Sequence, residues 1–115
     1  MNQETLRDYC LSKPFATEHF PFDDVTLVLK VGGKMFALIP LNEEPSISLK
    51  CDPELAIELR EEFPAVEPAW HFNKKHWNQV AMDGSVSEKQ VKAWIDHSYE
   101  LVYASLPRKV KENLI

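Results

Sequence analysis

From Val25 to Lys50 the hydrophobic residues keep a period of two, and no other feature restricts the folding of this chain as much. Val25, Leu27, Leu29 and Val31 alternate with Thr26, Val28 and Lys30, the pattern of a half-buried strand. Gly32–Gly33 then supplies the positive φ angles of a two-residue hairpin turn. Lys34 to Ile39 reads as the return strand, closed by Pro40. Ser46–Lys50 reads as a third, with Ile47 and Leu49 on one face and Ser46, Ser48 and Lys50 on the other. These three strands predict one meander.

Helical periods flank the meander. Leu6, Tyr9 and Cys10 fall at helical spacing between about Asn2 and Ser12; Asn2 can cap the start and Pro14 forbids continuation. A loop carrying Pro21 and Asp23–Asp24 follows. Asp52-Pro53-Glu54 opens a second helix with a capping Asp, a proline in the first turn and an acid facing the positive dipole end. Leu55, Leu59 and Phe63 form its apolar stripe, and Pro64 ends it. Two short strands are expected near Ala69–Phe72 and at Trp77–Met82, before an Asp83-Gly84 turn. Ser87-x-x-Gln90 is a capping-box pattern opening the longest helix, whose core face is Val91, Trp94, Ile95, Ser98, Val102 and Leu106. Pro107 ends it, and a basic tail, Arg108-Lys109-Val110-Lys111, follows. The expected order is α-β(3)-α-β(2)-α over residues 1–115. Strands clustered between helices imply a single α+β domain, with helices packed on one side of a largely antiparallel sheet.

The 115 residues suffice for one core, and 44% hydrophobic content is ordinary for a globular domain. No run approaches the ~18 consecutive apolar residues of a membrane span. The first residues lack the basic start and apolar run of a secretory signal, so the cytoplasm is the expected location and free thiols are expected at Cys10 and Cys51. A net charge of −5 argues against a general polyanion binder, but it is unevenly placed. Residues 1–69 hold 6 Lys/Arg against 13 Asp/Glu, whereas residues 70–115 hold 7 against 5, which directs attention to the second half.

No catalytic constellation is visible. The serines lie in a strand (Ser46, Ser48), near a helix start (Ser85, Ser87) or on a helix (Ser98), and none sits in a Gly-x-Ser-x-Gly elbow. Cys51 precedes a helix start, but it also fits as a small residue at a strand end. His71 and His76 are five apart, off a common helical face, and His19 and His97 complete no metal spacing. Three glycines leave none for a phosphate loop. Neither a metal nor a cofactor is expected, and the chain is not expected to be an enzyme.

One segment stands out. Trp70-His71-Phe72-Asn73-Lys74-Lys75-His76-Trp77-Asn78-Gln79 has two lysines, two histidines, three aromatics, three amides and no acid. Lysines neutralise phosphates, amides read base edges and aromatics stack on exposed bases, so this mixture suits a nucleic-acid surface. It equally describes a strand–turn–strand with Trp70 and Trp77 buried around a polar turn.

That segment and its neighbours resemble the MmcQ/YjbR family. The matching pieces are Ser48-Leu49-Lys50, Pro53-Glu54-Leu55, His71-x-Asn73-Lys74-x-His76-Trp77, Asp83-Gly84-Ser85, Ser98-Tyr99 and Leu106-Pro107 with basic residues after it. The resemblance implies a YjbR-like fold, akin to type III secretion chaperones and to the CyaY fold. It also implies a DNA-binding label with no established catalytic or cofactor site. A DNA-binding monomer would place Lys74 and Lys75 on phosphates with Arg108, Lys109 and Lys111 as auxiliaries, about 3–5 phosphate contacts in all. His71, Asn73, His76 and Asn78 would then touch bases or sugars. The alternatives are a protein-interaction or chaperone-like module, which the acidic charge suits, and a small enzyme around His71, His76 and Lys74.

Overall fold

The computed structural model describes residues 1–70 and 72–115. Helix α1 (Gln3–Leu11) starts at Asn2, whose side-chain oxygen accepts the Thr5 N–H at 2.9 Å while Thr5 Oγ1 accepts the Asn2 N–H. Beyond Pro14 the chain reverses at Phe15, at a φ of 63°. Strand β1 (Thr17–His19) follows, then β2 (Thr26–Val31), β3 (Lys34–Pro40) and β4 (Ser46–Lys50). Helix α2 (Pro53–Glu62), strands β5 (Val66–Pro68) and β6 (Trp77–Ala81), and helices α3 (Glu88–Ser105) and α4 (Arg108–Leu114) complete it. The strands form one sheet in the order β1-β2-β3-β4-β6-β5, antiparallel at every junction.

The α+β class, the meander and the antiparallel sheet match the sequence expectation. Three elements differ. β1 replaces part of the expected loop; its three residues are all exposed and carry no apolar alternation to read, yet they pair with Val28–Lys30 at the sheet edge. The strand expected at Ala69–Phe72 lies instead at Val66–Pro68, where buried Val66 pairs with Val80. The basic tail is helix α4: Pro107 ends α3 as expected but then occupies the N-cap of a new helix. Val110 and Leu114, one turn apart, dock that helix on the core.

Alternation within the strands sorts the sheet into two faces. Leu27, Leu29, Ala37, Ile39, Ile47, Leu49 and Val80 share one core with Leu6 and Cys10 of α1, Ala56 and Leu59 of α2, and Val91, Trp94, Ile95, Tyr99 and Val102 of α3. Leu55 and Phe63, expected on the buried stripe of α2, are only half-buried, because Ala56 faces the sheet and Phe63 meets Trp94 edge-on at 5.1 Å. The other face, bearing Thr26, Val28 and Lys30 of β2 and Ser46, Ser48 and Lys50 of β4, has no helix against it among the described residues.

Two details lock the helices to the sheet. Gly32, at φ 58°, lies so close to the last turn of α3 that a Cβ there would come within 2.6 Å of Leu106 Cδ1. In β3, the register with β2 shifts by one residue at Phe36, and pairing of β3 with β4 stops at Ala37–Leu49. Where Phe36 and Lys50 would pair next, the fully buried Ser98 of α3 intervenes. Its hydroxyl donates to the Phe36 carbonyl at 2.6 Å and accepts the Lys50 N–H at 2.9 Å.

Both cysteines are buried free thiols. Burial pushes Cys10 from an ordinary value near 9 up to about 12, and burial followed by nearby Asp52 pushes Cys51 up to about 11. The expected result is that reductant leaves the Tm unchanged and that neither thiol reacts with a disulfide reagent at neutral pH until the protein unfolds. Because the folded state holds these groups protonated, their contribution to stability is complete below pH 9 and lost as pH rises towards 12. A native-state thiol reaction as fast as that of a free peptide would contradict this burial.

Candidate functional site

The acid-free segment forms the β5–β6 connection and folds over the helix-free face. Asn73 starts its turn: its side-chain oxygen accepts the Lys75 N–H at 3.0 Å and its carbonyl accepts the His76 N–H at 3.0 Å. The His76 carbonyl in turn accepts the Cys51 N–H at 2.7 Å, which ties the turn to the end of β4. Lys74 and Lys75 are exposed, and Lys74 Nζ lies 4.3 Å from the centre of the Trp70 ring. Trp70 is 58% exposed, which corrects the expectation of a buried indole. Trp77 is half-buried rather than a full core anchor; it points to the helix-free face and stacks on Phe72 at 5.0 Å. His71 lies outside the described residues.

Asn78 also departs from the expectation. It is 3% exposed and faces the helices, where its oxygen accepts from Arg60 Nε at 2.6 Å and its amide donates to the Ala56 carbonyl at 3.2 Å. Its neighbours Trp77 and Gln79 take the opposite face, so Asn78 holds the fold together and has no polar atom left for a base. Arg60, by sequence an ordinary helix-surface cation, is the centre of this arrangement. From α2 it reaches Asn78, the Lys74 carbonyl and, at 3.4 Å, the Trp77 carbonyl. Only an acceptor in an acid-free neighbourhood hints at such a partner.

Arg108, Lys109 and Lys111 stand on α4, in the helix layer. Arg108 pairs with Glu112 at 3.0 Å, and Lys111 lies 5.5 Å from the Tyr103 ring centre. The two basic groups of the sequence are therefore attached to different layers, and α4 is not an extension of the Lys74–Lys75 turn.

Strand register brings other residues to that turn instead. Lys30 lies opposite Met35, and Lys50 lies opposite Trp77, all on the helix-free face. Lys30, Lys50, Lys74 and Lys75 thus gather at one end of this face, and among the described residues none of them is in an ion pair. The far end is reached four residues along β4, about 13 Å away at strand rise. It carries the loops bearing Asp23, Asp24, Glu43 and Glu44.

Between the two ends lies a groove of about 440 Å³. Its floor is Thr26, Leu38, Ser46, Ser48 and Gln79; Phe22, Trp70 and Phe72 rise around it, and Glu43 closes the acidic end. Phe22 is 66% exposed. The Ser46 and Ser48 side chains line this floor although the residues are only 8% and 6% exposed. Sequence alternation puts Ser46, Ser48 and Lys50 on one face; it carries no sign that Phe22 and Trp70 meet there.

Among the described residues no group of three His, Cys, Asp or Glu side chains could hold a metal ion, and no helix is long and apolar enough to cross a membrane. Comparison with known proteins agrees with the fold. The chain is 34% identical over 116 residues to the uncharacterized protein YjbR of Escherichia coli strain K12, covering 100% of this chain and 98% of that one. It is 35% identical over 107 residues to the uncharacterized protein YbdF of E. coli O157:H7, covering 92% and 88%. A crystal structure of the Deinococcus radiodurans protein DR2400, a DUF419 domain, superposes with a TM-score of 0.91 at 38% identity, covering 98% of this chain and 87% of that one. A Pseudomonas syringae protein superposes with a TM-score of 0.76 at 29% identity, covering 89% and 99%. The YjbR family model matches residues 11–101, and with a fold and sequence shared along nearly its whole length the chain belongs to the YjbR family.

Proposed function

We propose that the chain is a non-enzymatic, monomeric, cytoplasmic module that binds DNA through the lysine end of its helix-free sheet face. The observation that carries this reading is the gathering of Lys30, Lys50, Lys74 and Lys75 beside exposed Trp70, with no acid between residues 68 and 82. Such a surface supplies a few phosphate contacts and no more, so binding is modest and strongly salt-dependent. A non-enzymatic role is supported by the chemistry of the nucleophiles. Cys10 and Cys51 are buried with raised pKa, Ser98 is engaged by the main chain, and among the described residues no serine hydroxyl or cysteine thiol is hydrogen-bonded to a histidine ring.

The test is titration of labelled DNA at several salt concentrations. Lys74→Glu with Lys75→Glu is expected to weaken binding alike across sequences and to flatten the log–log salt dependence by about one unit for each phosphate no longer neutralised. Folding survives, since exposed lysines contribute within about ±0.5 kcal/mol. Glu61→Lys with Glu62→Lys on α2 is expected to leave binding in place, and so is Lys109→Ala on α4. Absence of binding at ~100 μM protein sinks the reading, because even non-specific binders are tighter than that at physiological salt. A protein-interaction module is the second reading, favoured by the acidic loops and by exposed Phe20, Phe22 and Leu41 at the other end.

A further inference from the structure

We infer that the groove on the helix-free face takes an unpaired base of single-stranded DNA whose adjoining phosphate rests on the lysine end; this rests on the DNA reading above and names the form of DNA that the site accepts. The argument begins with geometry. A base inside a duplex shows only its edge, whereas an unpaired base also offers a face for stacking and a free Watson–Crick edge. The groove provides for both. Phe22 and Trp70 are solvent-exposed aromatic walls, a costly thing to leave uncovered on a monomer unless they meet a partner. The floor offers the Ser46 and Ser48 side chains and the Gln79 amide beside them.

Charge sets the direction. The ammonium of Lys74 lies 4.3 Å from the Trp70 ring centre, so a phosphate held there places its own base within reach of the same aromatic wall. At the groove's other end Glu43 and the neighbouring acids repel phosphate and keep the backbone at the lysine end. A carboxylate in that position accepts hydrogen bonds only. Placed against the exocyclic 4-position, it favours cytosine, whose amino group donates there, over thymine, whose O4 carbonyl only accepts there and whose one Watson–Crick donor is N3–H. The same acids that make the protein a poor general polyanion binder thus act as a filter on which part of the nucleic acid enters.

The experiment uses the whole protein and ten-nucleotide single strands of deoxycytidine or deoxythymidine, with a duplex of the same length as comparison. Tryptophan fluorescence and anisotropy of the labelled strand are read at low salt. Single strands are expected to bind tighter than duplex and to quench the exposed tryptophan. Trp70→Ala should abolish most of the quenching and weaken single-strand binding about tenfold, with duplex binding little changed. Glu43→Gln, on an exposed loop, should keep binding but reduce a deoxycytidine preference of about fivefold or more. Equal binding of duplex and single strands, unaffected by Trp70→Ala, overturns this inference while the DNA reading stands. Loss of all DNA binding overturns both, and binding of a lysine-rich peptide in the groove in place of DNA would reassign the site to a protein partner.

Discussion

Ser98→Ala is expected to destabilise the protein by about 2–4 kcal/mol and to lower its Tm by roughly 10 °C. The hydroxyl stands in for a missing rung of the sheet: the Phe36 carbonyl and the Lys50 N–H, separated by the irregularity in β3, each bond to it. Alanine fills almost the same space but leaves a buried acceptor and a donor without a partner, and a neutral hydrogen bond removed in this way costs more than the bond itself contributes. The consequence is not confined to α3. Lys50 follows directly on the groove floor, so loosening the β3–β4 junction should also raise hydrogen exchange at Lys50 and Cys51. Ser105→Ala serves as the control, because that hydroxyl only bonds back to the Val102 carbonyl of its own helix at 2.7 Å. A Ser98→Ala variant within about 0.5 kcal/mol of the parent, by denaturant unfolding, would show that the sheet closes this gap unaided.

Arg60→Ala is expected to cost about 2–3 kcal/mol and to damage DNA binding without removing any residue from the proposed contact surface. The guanidinium has a planar fork of donors, and here it spans from buried Asn78 Oδ1 to the main chain of the Lys74–Trp77 turn. Truncation leaves Asn78 Oδ1 unpaired in a residue that is 3% exposed, and frees the turn that presents Lys74 and Lys75. Arg60→Lys should recover little, because a single ammonium cannot serve acceptors in a fixed fork. Two readouts separate positioning from direct contact. Hydrogen exchange at residues 73–77 should accelerate, and the salt slope of DNA binding should stay close to the parent's while affinity falls, since every lysine that neutralises a phosphate is still present. A slope reduced by a full unit would mean that Arg60 touches phosphate itself.

Much of this fold is written in local periods and caps. The Gly32–Gly33 hairpin, the Ser46–Lys50 strand and the Asn2, Asp52 and Ser87 helix starts follow from residues within one or two turns of each other. β1 escapes such a reading because its pairing partner lies further along the chain and its own side chains are all exposed. α4 escapes it because a proline that reads as an ending also begins a helix, and because its one apolar face, Val110 and Leu114, has meaning only once Leu106 is seen beside Gly32.

The candidate site divides in the same way. Sequence alone determined that Trp70–Gln79 is an acid-free, lysine- and aromatic-bearing segment, and that Ser46, Ser48 and Lys50 share a face. Tertiary structure decided the rest. It inserted β6 between β4 and β5, which sets Trp77 beside Lys50 and turns Asn78 inward to Arg60. It removed Arg108, Lys109 and Lys111 to the helix layer and brought Lys30 in their place. It also left one sheet face without helices, where Phe22 and Trp70 meet across a groove. Side-chain parity along a strand is a local property fixed by the pleat. Which strands become neighbours, and which face goes uncovered, depends on burial shared among residues far apart in the chain, and no local pattern encodes that.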